Sequence, residues 1–183
     1  MNFTIYDETT APESSQPILK QINQAFGFVP NALAVLSESS PTLGAYLSLD
    51  AKCQETSFSP QELQALIVAI SRENECHYCV AAHSTQASMV KLPEEDIQRL
   101  RSGNDPADPK LSALTRFGKK MVQKRGWVDE NDINEFLEAG YSKANIFEVV
   151  LVIAMKTITN YCNHISGVPV DSAFSDYKWS PDK

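Results

Sequence analysis

The sequence predicts an all-α fold, a helical bundle of about seven to nine helices in a single domain over residues 1–183. Two observations predict helices throughout: prolines stand where helices would begin or just after they would end, and apolar residues recur at helical spacing between them. A third observation disfavours a sheet, because no stretch alternates apolar and polar residues between hairpin turns, and the best strand candidate, residues 3–6, is short. With 43% hydrophobic and 21% charged residues, the composition is that of a globular domain.

The first three predicted helices are delimited by glycine and proline. The first covers residues 15–26, carries its apolar side chains on one face and stops at Gly27. Pro30 begins a short second helix, and Pro41 begins a third.

The fourth predicted helix has the clearest start in the chain. Ser59 and Glu62 form a capping box, and Pro60 occupies the first helical position between them. Apolar residues then recur at i, i+3, i+4 and i+7, namely Leu63, Leu66, Ile67 and Ile70.

The next predicted helices follow in quick succession. The fifth starts after Glu75, carries the segment HYCVAAHSTQASMV and ends before Pro93, and a short sixth covers residues 93–101. An amphipathic seventh helix runs from residue 111 to about residue 124, and a shorter eighth helix closes at Gly140.

The last predicted helix begins at a Ser142 cap and extends to His164 or Ile165. Because residues 146–155 are apolar nearly all round, we expect this helix in the middle of the bundle or in a subunit interface. The tail after Pro169 is predicted to be irregular.

Charge and apolar patterning exclude several functional classes. Sixteen Lys and Arg against 23 Asp and Glu give a net charge of −7, which argues against binding to nucleic acid or to an anionic membrane. The N-terminus lacks the pattern of a secretory signal, and the longest apolar run falls short of the roughly 18 residues that span a bilayer. We therefore expect a cytoplasmic protein without a membrane segment, whose cysteines serve redox or metal chemistry rather than a disulfide scaffold.

One motif carries chemistry: Glu73, Cys76, Cys79 and His83 form a Glu-x-x-Cys-x-x-Cys-x-x-x-His pattern. If Cys76 begins a helix, the spacing i, i+3 and i+7 places both thiols and the imidazole on one face. Thiols at a helix N-terminus face free backbone N–H groups and the positive end of the helix dipole, which lower the thiol pKa. By this argument alone the expected nucleophile is Cys76, which is nearer the helix end.

The pattern suits a dithiol cycle. His83 can accept the thiol proton, and Glu73 can orient the imidazole or stabilise its charge. A thiolate that attacks a peroxide becomes a sulfenic acid, and the second cysteine condenses with it to give a disulfide and water, which an external dithiol reduces. No metal, haem or flavin is required, so we expect no cofactor. Tyr78 and His77, inside the motif, are candidates for a proton relay.

Two other functions are open at this point. The same cysteines suit a thiol-disulfide oxidoreductase or redox sensor without an efficient peroxide step. The motif also offers three soft ligands, which Glu73 or His77 would complete as a zinc site in a metal-binding or structural helical module. No second Cys/His pair with ligand spacing follows, which disfavours zinc. Cys53 and Cys162 lack reactive neighbours and are interpreted as buried structural thiols.

The sequence also resembles a known family. Residues 59–87, SPQELQALIVAISRENECHYCVAAHSTQA, resemble the core of the alkylhydroperoxidase D-like proteins of the carboxymuconolactone decarboxylase superfamily, particularly their peroxidase-related branch. The core redox motif lies within residues 59–90. FGFVPNALAVLSESSPTLGAYL near the start and NYCNHISGVPVDSAF with Trp179 near the end extend the similarity over most of the chain.

The resemblance implies an all-α fold in which the Cys-x-x-Cys opens a helix, assembled into homo-oligomers, commonly trimers or hexamers. It would make Cys79 the thiol that attacks the peroxide, Cys76 its disulfide partner and His83 part of the proton relay. The partners it implies are a peroxide substrate and an external dithiol or thiol reductant protein.

Two positions depart from the family pattern. The best-studied members carry a relay Glu one helix earlier, where this chain has Gln64, and a His before the second cysteine, where it has Tyr78. Glu73 is expected to supply the carboxylate instead, as in relatives that share its spacing to Cys76. Decarboxylase members do not need paired thiols, so the presence of both argues against that activity.

Overall fold

Nine α-helices and one 3-10 helix make up the computed structural model, which describes residues 2–181. In chain order they are α1 (Gln16–Phe26), α2 (Asn31–Leu36), α3 (Ser40–Gln54), α4 (Pro60–Glu73), α5 (His77–Met89), α6 (Glu94–Arg101), α7 (Pro109–Gln123), α8 (Glu130–Glu138), α9 (Lys143–Ser166) and the 3-10 helix Ser172–Tyr177. No strand occurs among residues 2–181, and the strand candidate at residues 3–6 is irregular. The predicted all-α fold is confirmed.

Local signals set the helix ends as predicted. At the start of α4, the Ser59 hydroxyl accepts a hydrogen bond from the Glu62 N–H, and Glu62 in turn accepts one from the Ser59 N–H, which completes the capping box. Ser142 and Asn145 form a similar box at the start of α9. Gly27 and Gly167 end α1 and α9 with positive φ angles of 78° and 61°, a conformation that costs glycine little.

The centre of the domain is α4, which packs against α5, α6, α7 and α9. Residues 63–71 of this helix are all buried. The closest approach is to α7: a Cβ atom on Gly118 would stand 2.5 Å from Leu66 Cδ1, so only glycine permits this spacing. Beyond α7, the rings of Phe117, Phe136 and Tyr141 stack in series with centroid distances of 4.4 and 4.6 Å.

The long helix α9 has two different faces. Its inner face packs against α3, α4 and α5 and carries, besides apolar residues, the buried polar residues Lys156, Thr159, Asn160 and Asn163. Its outer face exposes Phe147, Val150, Tyr161 and Ile165. By length and composition alone α9 would also pass as a membrane span, but its inner face forms part of the core of this domain.

The tail after Pro169, predicted to be irregular, contains a 3-10 helix instead. We call residues 168–178 the C-terminal segment. Phe174 in this segment packs edge-on against Tyr78 of α5 at a centroid distance of 6.1 Å, and it also contacts Phe28. These contacts with distant parts of the chain hold the segment in place, and no local sequence pattern predicts them.

Candidate active site around Cys76 and Cys79

The turn between α4 and α5 positions the two cysteines. Glu75 adopts a positive φ of 56°, and the Cys76 N–H donates to the Ser71 carbonyl at 2.9 Å, so the chain reverses sharply. Cys76 therefore becomes the N-cap residue of α5, as the sequence predicts. Cys79 and His83 follow on the same side of the helix, and all three side chains face the inner face of α9.

Both thiols are buried, at 0% exposure for Cys76 and 3% for Cys79. The Asn163 side-chain amide donates to the Cys79 sulfur at 3.3 Å and lies 3.8 Å from the Cys76 sulfur. Burial of Cys79 opposes its ionisation, but a hydrogen bond from the Cys76 thiol, the charge of Lys156 and the polar side chains of Thr159 and Asn160 outweigh burial and lower the pKa of Cys79. These groups therefore favour the thiolate on Cys79.

Cys76 behaves in the opposite way. Its thiol donates a hydrogen bond to the Cys79 sulfur, and this bond, its burial and the negative charge on Cys79 raise the pKa of Cys76. The helix-end argument predicts that Cys76 is the more acidic thiol, whereas the donors of α9 favour the negative charge on Cys79, one turn further along.

His83 is held at both ring nitrogens. Its Nδ1 lies 3.0 Å from Gln64 Oε1, an amide oxygen that can only accept, so Nδ1 carries the ring proton. Its Nε2 lies 2.9 Å from Lys156 Nζ, which donates to the remaining lone pair. Burial and the Lys156 charge hold the pKa of His83 well below its usual value. The imidazole is therefore neutral and has no nitrogen free for a thiol proton.

Glu73 does not lie at the imidazole. Its carboxylate accepts a hydrogen bond from Gln123 of α7 at 3.0 Å. Glu73 follows Gln64 by nine residues on α4, and nine steps of about 100° place the two side chains on opposite faces of the helix. Since Gln64 faces His83, Glu73 faces α7. Gln64, which the sequence marks as a departure from the family pattern, is thus the orienting partner of His83, and the proposed carboxylate relay through Glu73 has no support in the geometry.

Tyr78 and His77 make their hydrogen bonds to the C-terminal segment rather than to the thiols. The Tyr78 hydroxyl donates to Asp171 Oδ2 at 2.5 Å, and burial together with this hydrogen bond raises the pKa of Tyr78. His77 Nε2 lies 3.2 Å from the Val168 carbonyl oxygen. Both residues fasten this segment to α5, and Tyr78 also lines the cavity beside Cys79.

A cavity of about 310 Å³ opens beside Cys79. Its lining is mainly apolar and aromatic, with Phe26, Phe28, Tyr46, Met89 and Phe174 among the side chains that form it. The polar groups that reach it include Lys156, His83 and Thr159 from the dithiol side. A mainly apolar cleft with a few convergent polar groups is typical of a small-molecule site.

Four polar residues of α9 beside the dithiol are missing from the sequence analysis. Lys156, Thr159, Asn160 and Asn163 are buried and surround the dithiol from a helix interpreted only as apolar. Lys156, Asn160 and Asn163 stand at i, i+4 and i+7, so they form a polar stripe on the face that turns inward. That stripe is a signal that sequence inspection could have found.

Cys53 and Cys162 lie apart from the dithiol, and the described part of the chain contains no group suited to bind a metal ion. Cys53 is buried in the main core, where burial and Asp50 raise its pKa to about 11, and burial also raises the pKa of Cys162. Within residues 2–181, no group of three or more His, Cys, Asp or Glu side chains could hold a metal ion. His83, a zinc ligand in the alternative interpretation of the motif, has both nitrogens engaged, one of them by an ammonium group.

The sequence matches no family model, and it matches no curated protein. The fold, in contrast, is found in solved structures. A peroxidase-related protein from Ralstonia eutropha JMP134, described as an alkylhydroperoxidase AhpD core, superimposes with a TM-score of 0.82 at 18% identity, covering 94% of this chain and 93% of the other. A peroxidase-related protein from Silicibacter sp. TM1040 gives 0.80 at 19% identity, with 95% and 92% covered.

A third similar structure is a debrominase. The Bmp8 debrominase, as a cysteine-to-alanine variant in complex with 2,3,4-tribromopyrrole, superimposes with a TM-score of 0.74 at 18% identity, covering 97% of this chain and 96% of the other. This chain therefore has the alkylhydroperoxidase D-like fold, as the resemblance implies. At such identities the fold is shared, and activity must be argued from the site.

Proposed function

We propose that this chain, which has the alkylhydroperoxidase D-like fold, is a thiol-dependent hydroperoxide reductase with a Cys76–Cys79 disulfide cycle. The observation that carries the proposal is the position of Cys79. Its sulfur accepts a hydrogen bond from the Asn163 amide, interacts with the Lys156 charge and reaches a cavity that can admit a small substrate. A thiolate with an adjacent thiol is the arrangement that two-electron reduction of a peroxide requires.

The reaction balances with these groups. The Cys79 thiolate attacks one peroxide oxygen, so an S–O bond forms, the O–O bond breaks and the alcohol leaves once its oxygen is protonated. The Cys76 sulfur then displaces the sulfenic oxygen, which leaves as water with the Cys76 proton, and the disulfide closes. An external dithiol reduces the disulfide and is itself oxidised. The reducing cytoplasm predicted from the sequence would supply such dithiols.

Burial of the pair favours a small substrate over a protein disulfide. Cys76 is fully buried and Cys79 nearly so, and both lie against α2 and residues of the C-terminal segment. A small peroxide can enter the cavity directly, whereas a folded protein could bring its own sulfur into line with either thiol only if that segment moved. This observation ranks the thiol-disulfide oxidoreductase and the redox sensor below the peroxide reductase. The same burial requires that the external dithiol which resets the pair is either small or gains access through such a movement.

The test is a thiol count on reduced protein before and after one equivalent of cumene hydroperoxide, with mass spectrometry to locate a new disulfide. We expect rapid loss of two thiols per chain as a Cys76–Cys79 bond. The variant Cys76→Ser should stop at a sulfenic acid on Cys79, and Cys79→Ser should not react. Cys162→Ser, which removes a half-buried thiol outside the pair, is the matched control and should behave as wild type. Unchanged thiol loss in Cys79→Ser would refute the proposal.

A second candidate function is reductive dehalogenation of an apolar aromatic compound. It is favoured by the cavity, which is larger than a simple peroxide requires and is lined by aromatic rings, and by the similarity of the fold to the Bmp8 debrominase. The same dithiol would supply two electrons: halogen passes to the Cys79 sulfur, the ring carbon takes a proton, and Cys76 expels halide as the disulfide closes. Incubation of reduced protein with a bromopyrrole decides this, because one bromide per two thiols lost is expected, and no bromide release excludes the activity.

We further propose that the chain forms a homo-oligomer, as the family resemblance implies. The outer face of α9 supports this proposal, because Phe147 is 73% exposed and lies on one stripe with Val150, Tyr161 and Ile165. A second copy of the chain would cover this stripe. Light scattering on wild type and on Phe147→Glu is the test: a trimer or hexamer that the substitution dissociates is expected, and a monomeric wild type would contradict it.

A further inference from the structure

We infer that Lys156 is the acid catalyst of this site, the group that protonates the oxygen leaving the peroxide, and that His83 serves to position it. The inference rests on the proposed function. The proton for the leaving oxygen then comes from a side chain of α9, and not from His83 and Glu73 as the sequence motif suggests.

The surroundings of Lys156 carry the inference. The residue is 1% exposed, and its Nζ lies 2.9 Å from His83 Nε2 at the edge of the cavity beside Cys79. Over the described residues 2–181, no carboxylate lies within salt-bridge distance of this ammonium. Asp50 of α3 is near enough to interact with Lys156 through its charge, but its own pKa is raised by burial. The Cys79 sulfur is one of the acidic groups that interact with this buried cation, and it is the one that shares the cavity with Lys156.

His83 cannot fill the same role. Its Nδ1–H is committed to the Gln64 amide oxygen, and its Nε2 lone pair accepts from Lys156. A proton could reach the substrate from this ring only if one of the two bonds first broke. The imidazole instead fixes the Nζ atom at the cavity edge, because the Gln64 bond sets the ring orientation and the tautomer.

Lysine also satisfies the chemistry. When the Cys79 thiolate takes one peroxide oxygen, the other oxygen leaves as an alkoxide or hydroxide, both of which are stronger bases than an alkylamine. The ammonium of Lys156 gives this oxygen a proton, so the products are the alcohol, the sulfenic acid on Cys79 and a neutral amine. Charge is conserved, because one thiolate and one ammonium are consumed together.

Reduction restores the starting state without any other proton source. An external dithiol converts the disulfide into two thiols, and the Cys79 thiol then transfers its proton to the neutral Lys156 amine. The site returns to one thiolate, one ammonium and the protonated Cys76. Lys156 thus holds the proton during the half of the cycle in which Cys79 is a thiolate.

The experiment separates the charge of Lys156 from its proton. Lys156→Arg keeps the positive charge but is a weaker acid by about two to three pKa units, and Lys156→Met removes both the charge and the proton. Lys119→Met is the control, since Lys119 is a mostly buried lysine of α7 that pairs with Asp105 and does not line the cavity beside Cys79. The reaction rate of each variant is measured with three reagents. Iodoacetamide reports how much of Cys79 is thiolate. Peracetic acid releases a carboxylate that needs no proton, whereas tert-butyl hydroperoxide releases an alkoxide that must be protonated.

We expect Lys156→Arg to react with iodoacetamide and peracetic acid within about threefold of wild type, and with tert-butyl hydroperoxide about 100-fold more slowly. Lys156→Met should lose reactivity toward all three reagents because the thiolate is lost. When its peroxide rates are divided by its iodoacetamide rate, the value for tert-butyl hydroperoxide should still be about 100-fold below that of wild type, while the value for peracetic acid should not. The normalised ratio from Lys156→Met suffices if Lys156→Arg does not fold.

Two results would overturn the inference, and they are distinguishable. Equal losses toward peracetic acid and tert-butyl hydroperoxide in both variants would show that Lys156 supplies charge alone, while the proposed function stands. A wild-type protein that alkylates rapidly with iodoacetamide but reduces neither peroxide would refute the proposed function, and the acid role of Lys156 with it.

Discussion

The Tyr78 hydroxyl donates a 2.5 Å hydrogen bond to Asp171, and this bond joins the helix of the redox motif to the C-terminal segment. Asp171 also accepts from the Asn31 backbone N–H, at 3.2 and 3.3 Å to its two oxygens. One carboxylate therefore holds together α5, the start of α2 and the segment that covers the dithiol.

We expect Tyr78→Phe to loosen this cover. The substitution keeps the ring that packs on Phe174 but removes the hydrogen bond to Asp171, a loss of about 1.5–3 kcal/mol for a bond to a charged group. Alkylation of Cys79 by a bulky maleimide should accelerate severalfold, while the smaller iodoacetamide should gain less. Tyr161→Phe, on the exposed outer face of α9, is the control. Equal maleimide rates in Tyr78→Phe and wild type would show that the bond does not limit access.

The pH dependence of Cys79 alkylation follows from its lowered pKa. Because the thiolate persists below the pKa of an ordinary thiol, about 8.5, the alkylation rate should stay high at pH 7 and fall only as the pH drops through the lowered value. Asn163→Leu removes the donor at 3.3 Å and should raise this pKa, so that the rate at pH 6 falls about tenfold. Asn134→Leu, on the exposed face of α8, should leave the profile unchanged. A profile centred on the value of an ordinary thiol in the wild-type protein would contradict the assignment.

Two glycine substitutions should change stability in opposite directions. In Gly118→Ala the new methyl group would stand 2.5 Å from Leu66 Cδ1, so either the buried Leu66 side chain must shift or α4 and α7 must separate, and a loss of about 1–3 kcal/mol is expected. Gly44 lies inside α3, and no atom lies within 4 Å of the position that a new methyl group would occupy, so Gly44→Ala should stabilise the protein by about 0.5–1 kcal/mol. Urea denaturation of both variants measures the difference. The close packing of α4 on α7 would be disproved by a stabilised Gly118→Ala.

The aromatic stack behind α7 should account for a large part of the core stability. Phe136→Ala removes the middle ring, which is 1% exposed and stacks on both Phe117 and Tyr141, and should cost about 3–5 kcal/mol. Phe147→Ala removes the same side chain from an exposed position on α9 and should cost under about 1 kcal/mol in the free energy of unfolding of a single chain. Denaturation at low protein concentration compares the two. Similar losses would mean that the outer face of α9 is buried in the folded assembly.

Local sequence determined most of the fold. The capping box at Ser59, the proline starts and the glycine stops act within one turn of the residues they control, so the helix boundaries could be predicted to within a few residues. The placement of Cys76 at the start of α5 followed in the same way, because the turn after Glu73 is closed by a local hydrogen bond from the Cys76 N–H to the Ser71 carbonyl. The stripe of both thiols and His83 is likewise a property of one helix.

Tertiary structure decided the chemistry of the site. The partners of the dithiol and the imidazole come from α4 and α9, and Lys156 and Asn163 stand 73 and 84 residues beyond the side chains they contact. The pKa of Cys79 is lowered and that of Cys76 raised, against the helix-end argument, because the ionisation of a buried thiol depends on its nearest donors and charges as well as on the helix dipole. Glu73, which sequence spacing favours, faces α7, and Gln64 takes its place. Spacing along one helix fixes which residues share a face, but only the packing of α4, α5 and α9 brings together the groups that set where the charge and the proton lie.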